Sequence, residues 1–292
     1  MSILRNMSNQ SLLIKGNKKG PYVAIMGCTH GNERIGAEIL DWLSELINLD
    51  DVHGKIQLIL GNPMAYDQDV RFIDTDLNRI MSDERLITIS NTSPKERNHE
   101  EHRAIELAGL LKNVNYLLDI HATVKPTKHP FVYAANTPEH HKLSALFEVD
   151  YIMSEQDKSV TSYPEGPMDF YADRQDGIGI TLEAGCLSST GLLEDTKIGV
   201  ARFLKTTGVL PNIKTITKNT LPKKLIIYKE LIAKTDQYQF TGDHDNMKFF
   251  SVGDKIAQDG NEEIIVDRDC YLIFPKINIH KGKEAGYLAE KT

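Results

Sequence analysis

The chain has 292 residues, of which 40% are hydrophobic and 26% are charged, and its formal net charge at pH 7 is −7. These values are typical of a globular protein with one large domain, or with one domain and a smaller appendage. The acidic balance, without a dense run of Lys and Arg, argues against nucleic acid and anionic membranes as partners.

The cysteines and the apolar runs indicate the compartment. Cys28, Cys186 and Cys270 are odd in number and far apart, which argues against a disulfide framework and favours a reducing cytoplasm. The first ten residues are polar, and no apolar run reaches the ~18–20 residues that cross a bilayer. We therefore expect a cytoplasmic protein without a membrane span.

The first predicted element is a buried strand at residues 22–26, which runs into a glycine-rich turn at 27–33. In that turn His30 and Glu33 stand three residues apart, so both side chains can converge on a single ion. Cys28 shares the turn, but an imidazole and a carboxylate suit a harder ion than a thiolate cluster does. Cys28 is therefore predicted to fill space in the core.

Apolar residues then recur at helical spacing over 39–47, and a strand is predicted at 56–60. The next segment is charged and contains Arg71, Asp76, Asn78 and Arg79. It is either a solvated loop or a clamp, in which Arg binds a carboxylate or stabilises an oxyanion. The residue pattern alone leaves both interpretations open.

A helix is predicted at 96–112, followed by an apolar strand at 116–120 that ends in His121. Strand ends are where α/β folds place their sites, so His121 is the candidate third metal ligand. Asp119 points the same way on the strand and could orient a ligand. Ordinary polar residues at strand ends are the alternative, but two such histidines together with Glu33 favour a metal.

The later elements of this part are a strand at 131–135, a helix at 138–147, a buried strand at 179–182 and a helix at 192–206. Glu183 ends the buried strand, where an ionisable group is costly without a purpose. An exposed strand end is the alternative interpretation of Glu183. Strands alternating with helices predict a three-layer α/β domain with a mostly parallel or mixed central sheet.

After residue 211 the pattern changes to short β-rich segments separated by turns such as 241–243, 252–254 and 259–261. This pattern predicts a small C-terminal β-rich lobe. We therefore predict two domains, a metallohydrolase domain of α/β architecture at residues 1–210 and a β-rich domain at residues 211–292. The sequence leaves a homo-oligomer open.

Five short motifs resemble the succinylglutamate desuccinylase/aspartoacylase family, which belongs to the wider carboxypeptidase A-like zinc fold. They are, in chain order, His30-x-x-Glu33, Arg71, 76–79, 119–121 and 181–183. Each motif alone is weak, but five in the right order are specific, and the resemblance covers nearly the whole chain. Residues 273–286 are similar to the closing segment of the desuccinylase branch.

The resemblance implies a zinc-carboxypeptidase-like fold with one Zn²⁺ per chain, held by His30, Glu33 and His121. Zinc lowers the pKa of its water toward ~7. Glu183 would act as general base and then as general acid, while Arg71 would polarise the scissile carbonyl. The chain is thereby predicted to be a metal-dependent amidohydrolase of linear amides that deacylates N-acyl amino acids.

The resemblance also implies a small anionic N-acyl amino acid as substrate, with its carboxylate bound by Asn78 and Arg79. Lys125 or Lys128 could pair with a second carboxylate on the acyl group, or could be solvated. Arg174 is a further candidate substrate clamp. The sequence does not fix the acyl group or the amino acid.

The chain departs from the family pattern at one point, and two alternative functions stay open. The aspartoacylase branch carries a tyrosine near its C-terminus that reaches the active site, whereas the stretch 280–283 has none here and Tyr287 is off register. The alternatives are a metallocarboxypeptidase acting on peptides and a non-catalytic ligand-binding relative. The C-terminal lobe argues against the first, since in the resembled family it narrows the entrance. The metal triad with Glu183 argues against the second.

Overall fold

The computed structural model describes residues 10–123, 129–156, 166–217 and 220–292. The strands are β1 (Ser11–Lys15), β2 (Lys18–Gly27), β3 (His53–Leu60), β4 (Tyr116–Thr123), β5 (Phe131–Ala134), β6 (Tyr151–Glu155), β7 (Ile178–Cys186), β8 (Lys223–Ile232), β9 (Tyr238–Phe240), β10 (Lys248–Phe250), β11 (Lys255–Asp259), β12 (Glu262–Ile265), β13 (Cys270–Ile273) and β14 (Glu284–Lys291). The α-helices are α1 (Ile35–Leu46), α2 (Pro63–Gln68), α3 (Asp83–Asn91), α4 (His99–Leu110), α5 (Pro138–Ser144), α6 (Met168–Arg174) and α7 (Leu192–Thr206).

Eleven strands form one mixed sheet in the order β1-β3-β2-β4-β7-β5-β6-β8-β14-β13-β10, and β12-β11-β9 form a separate antiparallel sheet. At the centre β3, β2, β4 and β7 run parallel, while β5 is antiparallel to β7. Parallel strands bring their carboxyl ends to one edge of a sheet. The segments that follow β2, β4 and β7 therefore meet at that edge.

Helices cover both faces of the sheet, because the buried central strands point apolar side chains to both sides. In β2, Val23 and Ile25 belong to the core that α1 and α7 cover, whereas Ala24 and Met26 belong to the core that α4 and α6 cover. The predicted three-layer α/β architecture with a mixed sheet is confirmed.

The C-terminal part is β-rich, as predicted, but most of it continues the main sheet. Strands β8, β14, β13 and β10 extend the eleven-stranded sheet, and β8 pairs in parallel with β6 of the preceding part. The boundary at residue 210 therefore stays a prediction. Among the helices in the described ranges, none is long and apolar enough to cross a membrane.

Candidate metal centre and active site

His30 and Glu33 lie in the tight turn between β2 and α1, and local packing dictates the shape of that turn. The Glu33 N–H donates to the His30 carbonyl at 3.1 Å. A Cβ on Gly31 would lie 2.0 Å from the Ala65 carbonyl carbon, so only glycine fits there. Cys28 is buried, as predicted, with a left-handed φ of 58° that residues other than glycine adopt at some cost in strain.

The three predicted metal ligands come together at the carboxyl ends of β2 and β4. The Nδ1 atom of His30 lies 2.8 Å from Oε1 of Glu33, and the Nδ1 atom of His121 lies 2.9 Å from Oε2 of the same carboxylate. One ligand atom from each residue lies within 4.8 Å of the others, and all three residues are buried. Two imidazole nitrogens and a carboxylate form a donor set of catalytic zinc, so these residues fit the ion.

Two aspartates hold the outer nitrogens of the histidines. His121 Nε2 lies 2.8 Å from Oδ2 of Asp119, which confirms the predicted contact, and Thr29 Oγ1 donates to the other Asp119 oxygen at 2.9 Å. His30 Nε2 lies 3.0 Å from Oδ1 of Asp76. Carboxylates placed in this way fix the imidazole tautomer and leave both Nδ1 atoms for an ion. The pairing of Asp76 with His30 was not predicted.

The site carries excess negative charge. Burial alone would lower the pKa of His121, but Asp119 and Glu33 outweigh it and hold that pKa well above its usual value. Burial alone would raise the pKa of Glu33, but His121 and His30 hold it below its usual value. The potential among these carboxylates therefore favours a cation.

Glu183 lies in the second half of β7, opposite His121 in the parallel register of β4 and β7. Its side chain faces the same cavity as the three metal-ligating candidates. Burial raises the pKa of Glu183 to about 7, against the lowering effect of His121. A carboxyl group with a pKa near neutrality can both accept and donate a proton.

Arg71 lies on a loop whose following residues are held by hydrogen bonds to Glu100. Its Nη1 atom lies 3.4 Å from Oε1 of Glu33, and its Nη2 atom lies 3.2 Å from Oδ2 of Asp76. The buried Glu100 accepts the backbone N–H groups of residues 73–75 at 2.7 to 3.2 Å, and the Asn62 side-chain amide donates to it at 2.9 Å. Sequence reasoning missed Glu100, because its partners are distant in the chain.

Asn78 and Arg79 lie in a short 3-10 turn, Leu77–Arg79, and both line the cavity. The Asp76 carboxylate accepts the Asn78 N–H at 3.0 Å, and the Asn78 side-chain oxygen accepts the Met168 N–H at 3.1 Å. The Arg79 guanidinium donates to the Asn78 carbonyl at 2.8 Å. These contacts hold the turn against the start of α6.

The cavity over these residues has a volume of about 800 Å³. Its far wall comes from the C-terminal part of the chain and includes Asn246, Phe274, Lys276 and Tyr287. Tyr287, which sequence register placed outside the site, therefore lies in the wall. The volume suits a small molecule of drug size or below.

Two predicted substrate residues are not part of this arrangement. The Arg174 guanidinium donates to the Met81 carbonyl at 2.6 Å and pairs with Asp83 at 3.3 Å, and Arg174 does not line the cavity. The structure therefore does not bring Arg174 to the site. Lys125 and Lys128 lie outside the described residues.

Comparison with known proteins supports the resemblance. Residues 19–205 match the family model of the succinylglutamate desuccinylase/aspartoacylase catalytic domain. The chain is 25% identical over 287 residues to the succinylglutamate desuccinylase of Shewanella frigidimarina, covering 89% of this chain and 80% of the relative. It is 26% identical over 227 residues to a probable aspartoacylase of Nostoc, covering 75% and 71%.

A solved structure shows the same fold. The crystal structure of succinylglutamate desuccinylase from Vibrio cholerae superposes with a TM-score of 0.76 at 19% sequence identity. The match covers 96% of this chain and 85% of that one, so it includes the β-rich C-terminal part.

Proposed function

We propose that this chain, which belongs to the succinylglutamate desuccinylase/aspartoacylase family, is a zinc-dependent hydrolase of N-acyl amino acids. The observation that carries the proposal is the cluster of His30, Glu33 and His121, with Glu183 beside it in register. This is the donor set of a catalytic zinc ion with a carboxylate placed to act as base. The relatives named desuccinylase and probable aspartoacylase support an N-acyl amino acid as substrate.

The side chains divide the work of amide hydrolysis. When bound by His30, Glu33 and His121, one Zn²⁺ per chain supplies a Lewis acid that lowers the pKa of water and polarises a carbonyl. Glu183 takes a proton from the attacking water and returns it to the leaving amine. Arg71 stabilises the negative charge that develops on the carbonyl oxygen, a contribution of about 3–4 kcal/mol for a well-placed donor.

The remaining cavity residues select the substrate. Asn78 accepts the Met168 N–H through its side-chain oxygen, so its amide nitrogen is the end that donates to a ligand. Together with Arg79 it binds the carboxylate of the amino acid. The wall formed by Phe274 and Tyr287 favours a small molecule over a peptide. The three cysteines are free and buried, which supports the reducing cytoplasm that we propose as the location.

The test replaces Glu183→Gln in zinc-loaded protein. We expect kcat on N-succinylglutamate, N-acetylaspartate or a related amide to fall by about 10²–10⁴-fold, with an unchanged zinc content, because the base is lost and the metal ligands are kept. Glu45→Gln, an exposed position on α1, is the matched control. Full activity of the Glu183 variant contradicts its role. If incubation with a defined peptide gave a ladder of C-terminally shortened products, the carboxypeptidase alternative would be supported. A protein that binds no zinc would support the alternative of a non-catalytic ligand-binding relative.

A further inference from the structure

We propose that Asp169 and Thr181 form a subsite for a positively charged group, so that the amino acid released by the hydrolase carries an ammonium group on its side chain. This inference rests on the proposed function and adds to it the class of amino acid. It follows from polar atoms that the proposed mechanism does not use.

Asp169 is a buried residue of the cavity wall, and its carboxylate has no side-chain hydrogen-bond partner among the described residues. The residue is 1% exposed, and within the described part of the chain neither of its carboxylate oxygens has a hydrogen-bond partner. The same holds for Oγ1 of Thr181, which also lines the cavity. Buried polar groups are normally paired, and buried carboxylates almost always are. Such a group in the wall of a binding cavity is expected to find its partner in the ligand.

The fold brings the two residues to the same part of the cavity wall. A Cβ on Gly179 would lie 2.2 Å from the Asp169 carbonyl oxygen, so the start of α6 rests directly on β7 at that residue. Thr181 is the next residue of β7 on the same face, and Glu183 follows it. The subsite therefore lies along β7 on the N-terminal side of Glu183, the proposed base.

The charge of this region selects a cation. Burial, with the carboxylates of Asp173 and Asp119, raises the pKa of Asp169 to about 7. The same negative potential repels a second carboxylate of a substrate and attracts a positive group. A primary ammonium brings three N–H donors, which match the two oxygens of Asp169 and the hydroxyl oxygen of Thr181.

The subsite adjoins the proposed carboxylate clamp, which assigns it to the amino acid half of the substrate. The Met168 N–H donates to Asn78 Oδ1 at 3.1 Å. The Met81 N–H donates to the Gly166 carbonyl at 3.3 Å, and a Cβ on Gly166 would lie 2.8 Å from the Arg79 Cα. Because Gly166 and Met168 contact residues 78–81 and Asp169 follows Met168 directly, we assign the carboxylate and the ammonium to one amino acid, with the acyl group toward Glu183.

The experiment compares matched substrates with zinc-loaded protein. Ornithine, norvaline and glutamate are supplied as both Nα-acetyl and Nα-succinyl derivatives, and norvaline has the carbon skeleton of ornithine without its amine. We expect kcat/KM to be at least tenfold higher for the ornithine derivative than for the norvaline derivative. In Asp169→Asn this ratio should fall by tenfold or more, whereas the exposed control Asp51→Asn should keep it.

A binding measurement supports the kinetics without requiring turnover. Calorimetric titration of L-ornithine and L-norvaline into zinc-loaded protein should show tighter binding of ornithine, and Asp169→Asn should remove the difference. Should Asp169→Asn fail to fold in a thermal melt, Thr181→Val is the second variant, with an expected loss of about tenfold in the ratio, as for one hydrogen bond to a charged group.

The outcomes separate this inference from the proposed function. Hydrolysis of the panel with a preference for norvaline or glutamate, or with a ratio unchanged in Asp169→Asn, overturns the subsite and leaves the hydrolase intact. A zinc-loaded protein that hydrolyses neither a member of the panel nor N-acetylaspartate overturns the proposed function. In that case the titration with ornithine still decides whether Asp169 binds a cation.

Discussion

The edge of the sheet that carries His30, Glu33 and His121, here called the metal edge, and the C-terminal wall of the cavity are built in different ways. At the metal edge, His30 and His121 are buried, and each is held between carboxylates at 3.0 Å or less. Buried charged contacts of this kind allow one arrangement and are costly to disturb.

The C-terminal wall depends on ring contacts and on one partly exposed ion pair. The Phe274 ring lies 5.6 Å from that of Phe131 and 6.5 Å from that of Tyr287, and Lys276 pairs with Glu284 at 2.7 Å. Such contacts contribute less and tolerate substitution better. Under the proposed function, the parallel strands would fix the chemistry and the C-terminal part would select which substrate fits. Substitutions in the two regions should therefore differ in kind as well as in size.

The largest effect is expected at a metal ligand. His121→Ala removes one of three ligand atoms, so zinc content should fall from one per chain to near zero and kcat by more than about 10³-fold. Elemental analysis after dialysis, together with the assay, measures both. The exposed His102→Gln on α4 is the control. Stoichiometric zinc in the His121 variant would contradict the ligand assignment.

A smaller effect on zinc binding is expected at Asp119 and Asp76, which contact the histidines that would bind the ion. Asp119→Asn keeps the shape but loses the charge that orients His121, so zinc affinity should weaken by about 10–100-fold. Competition with a chelator measures it. Asp76→Asn should weaken zinc binding less, because that side chain is 17% exposed whereas Asp119 is fully buried. Equal affinities in native protein and Asp119→Asn would mean that Asp119 serves only packing.

Glu100 tests the loop that carries Arg71. Burial alone would raise the pKa of Glu100, but hydrogen bonds from Asn62 and from the backbone of residues 73–75 outweigh it and lower that pKa. Glu100→Gln leaves backbone donors facing an amide group, which should cost about 2–3 kcal/mol of the free energy of unfolding at pH 7. Urea denaturation measures this cost.

The stabilisation by Glu100 should also depend on pH in one direction. Because the folded-state pKa lies below the unfolded value of about 4.3, its stabilisation is complete above that pH and is lost as the pH falls through the folded-state pKa. The stability difference between native protein and Glu100→Gln should therefore shrink in acid. A difference that stays constant from pH 7 to pH 3 would argue against an ionised Glu100 in the folded state.

The smallest effect is expected in the C-terminal wall. Phe274→Ala opens the cavity away from the metal ligands, so KM should rise by about three- to tenfold, as for the loss of one apolar contact surface, while zinc content stays at that of the native protein. Phe249→Ala, an exposed aromatic residue of β10 outside the cavity, is the control. A large fall in kcat with an unchanged KM would mean that the wall also takes part in chemistry.

Local spacing allowed the convergence of the candidate metal ligands to be predicted in part. His30 and Glu33 converge because they stand three residues apart in one turn, and Asp119 and His121 share a strand face because side chains alternate with a period of two. The apolar run before Glu183 predicted a carboxylate at the end of a buried strand, whereas the structure places it half-buried within β7, three residues before the strand ends. The alternation of strands and helices along the chain likewise predicted the layered α/β fold.

Contacts between distant segments could not be predicted in this way. Asp76 meets His30 across 46 positions, and Tyr287 reaches the cavity only because β14 lies beside β8 in the main sheet. Arg174 is the opposite case. Its charge made it a candidate substrate residue in the sequence, but its side chain contacts Met81 and Asp83 instead of the cavity. The domain boundary at residue 210 and the roles of the site residues remain predictions.

The sequence by itself determined which chemical groups are available and how near neighbours along the chain are oriented, because helix and strand periods translate spacing into direction. Only the tertiary structure decided which of these groups share a cavity and which polar atoms are left unpaired within it. The Asp169 carboxylate, which has no side-chain hydrogen-bond partner among the described residues, is of this second kind, because its burial depends on how α6 rests on β7. The order of strands in the sheet sets such contacts, and residue spacing does not encode that order.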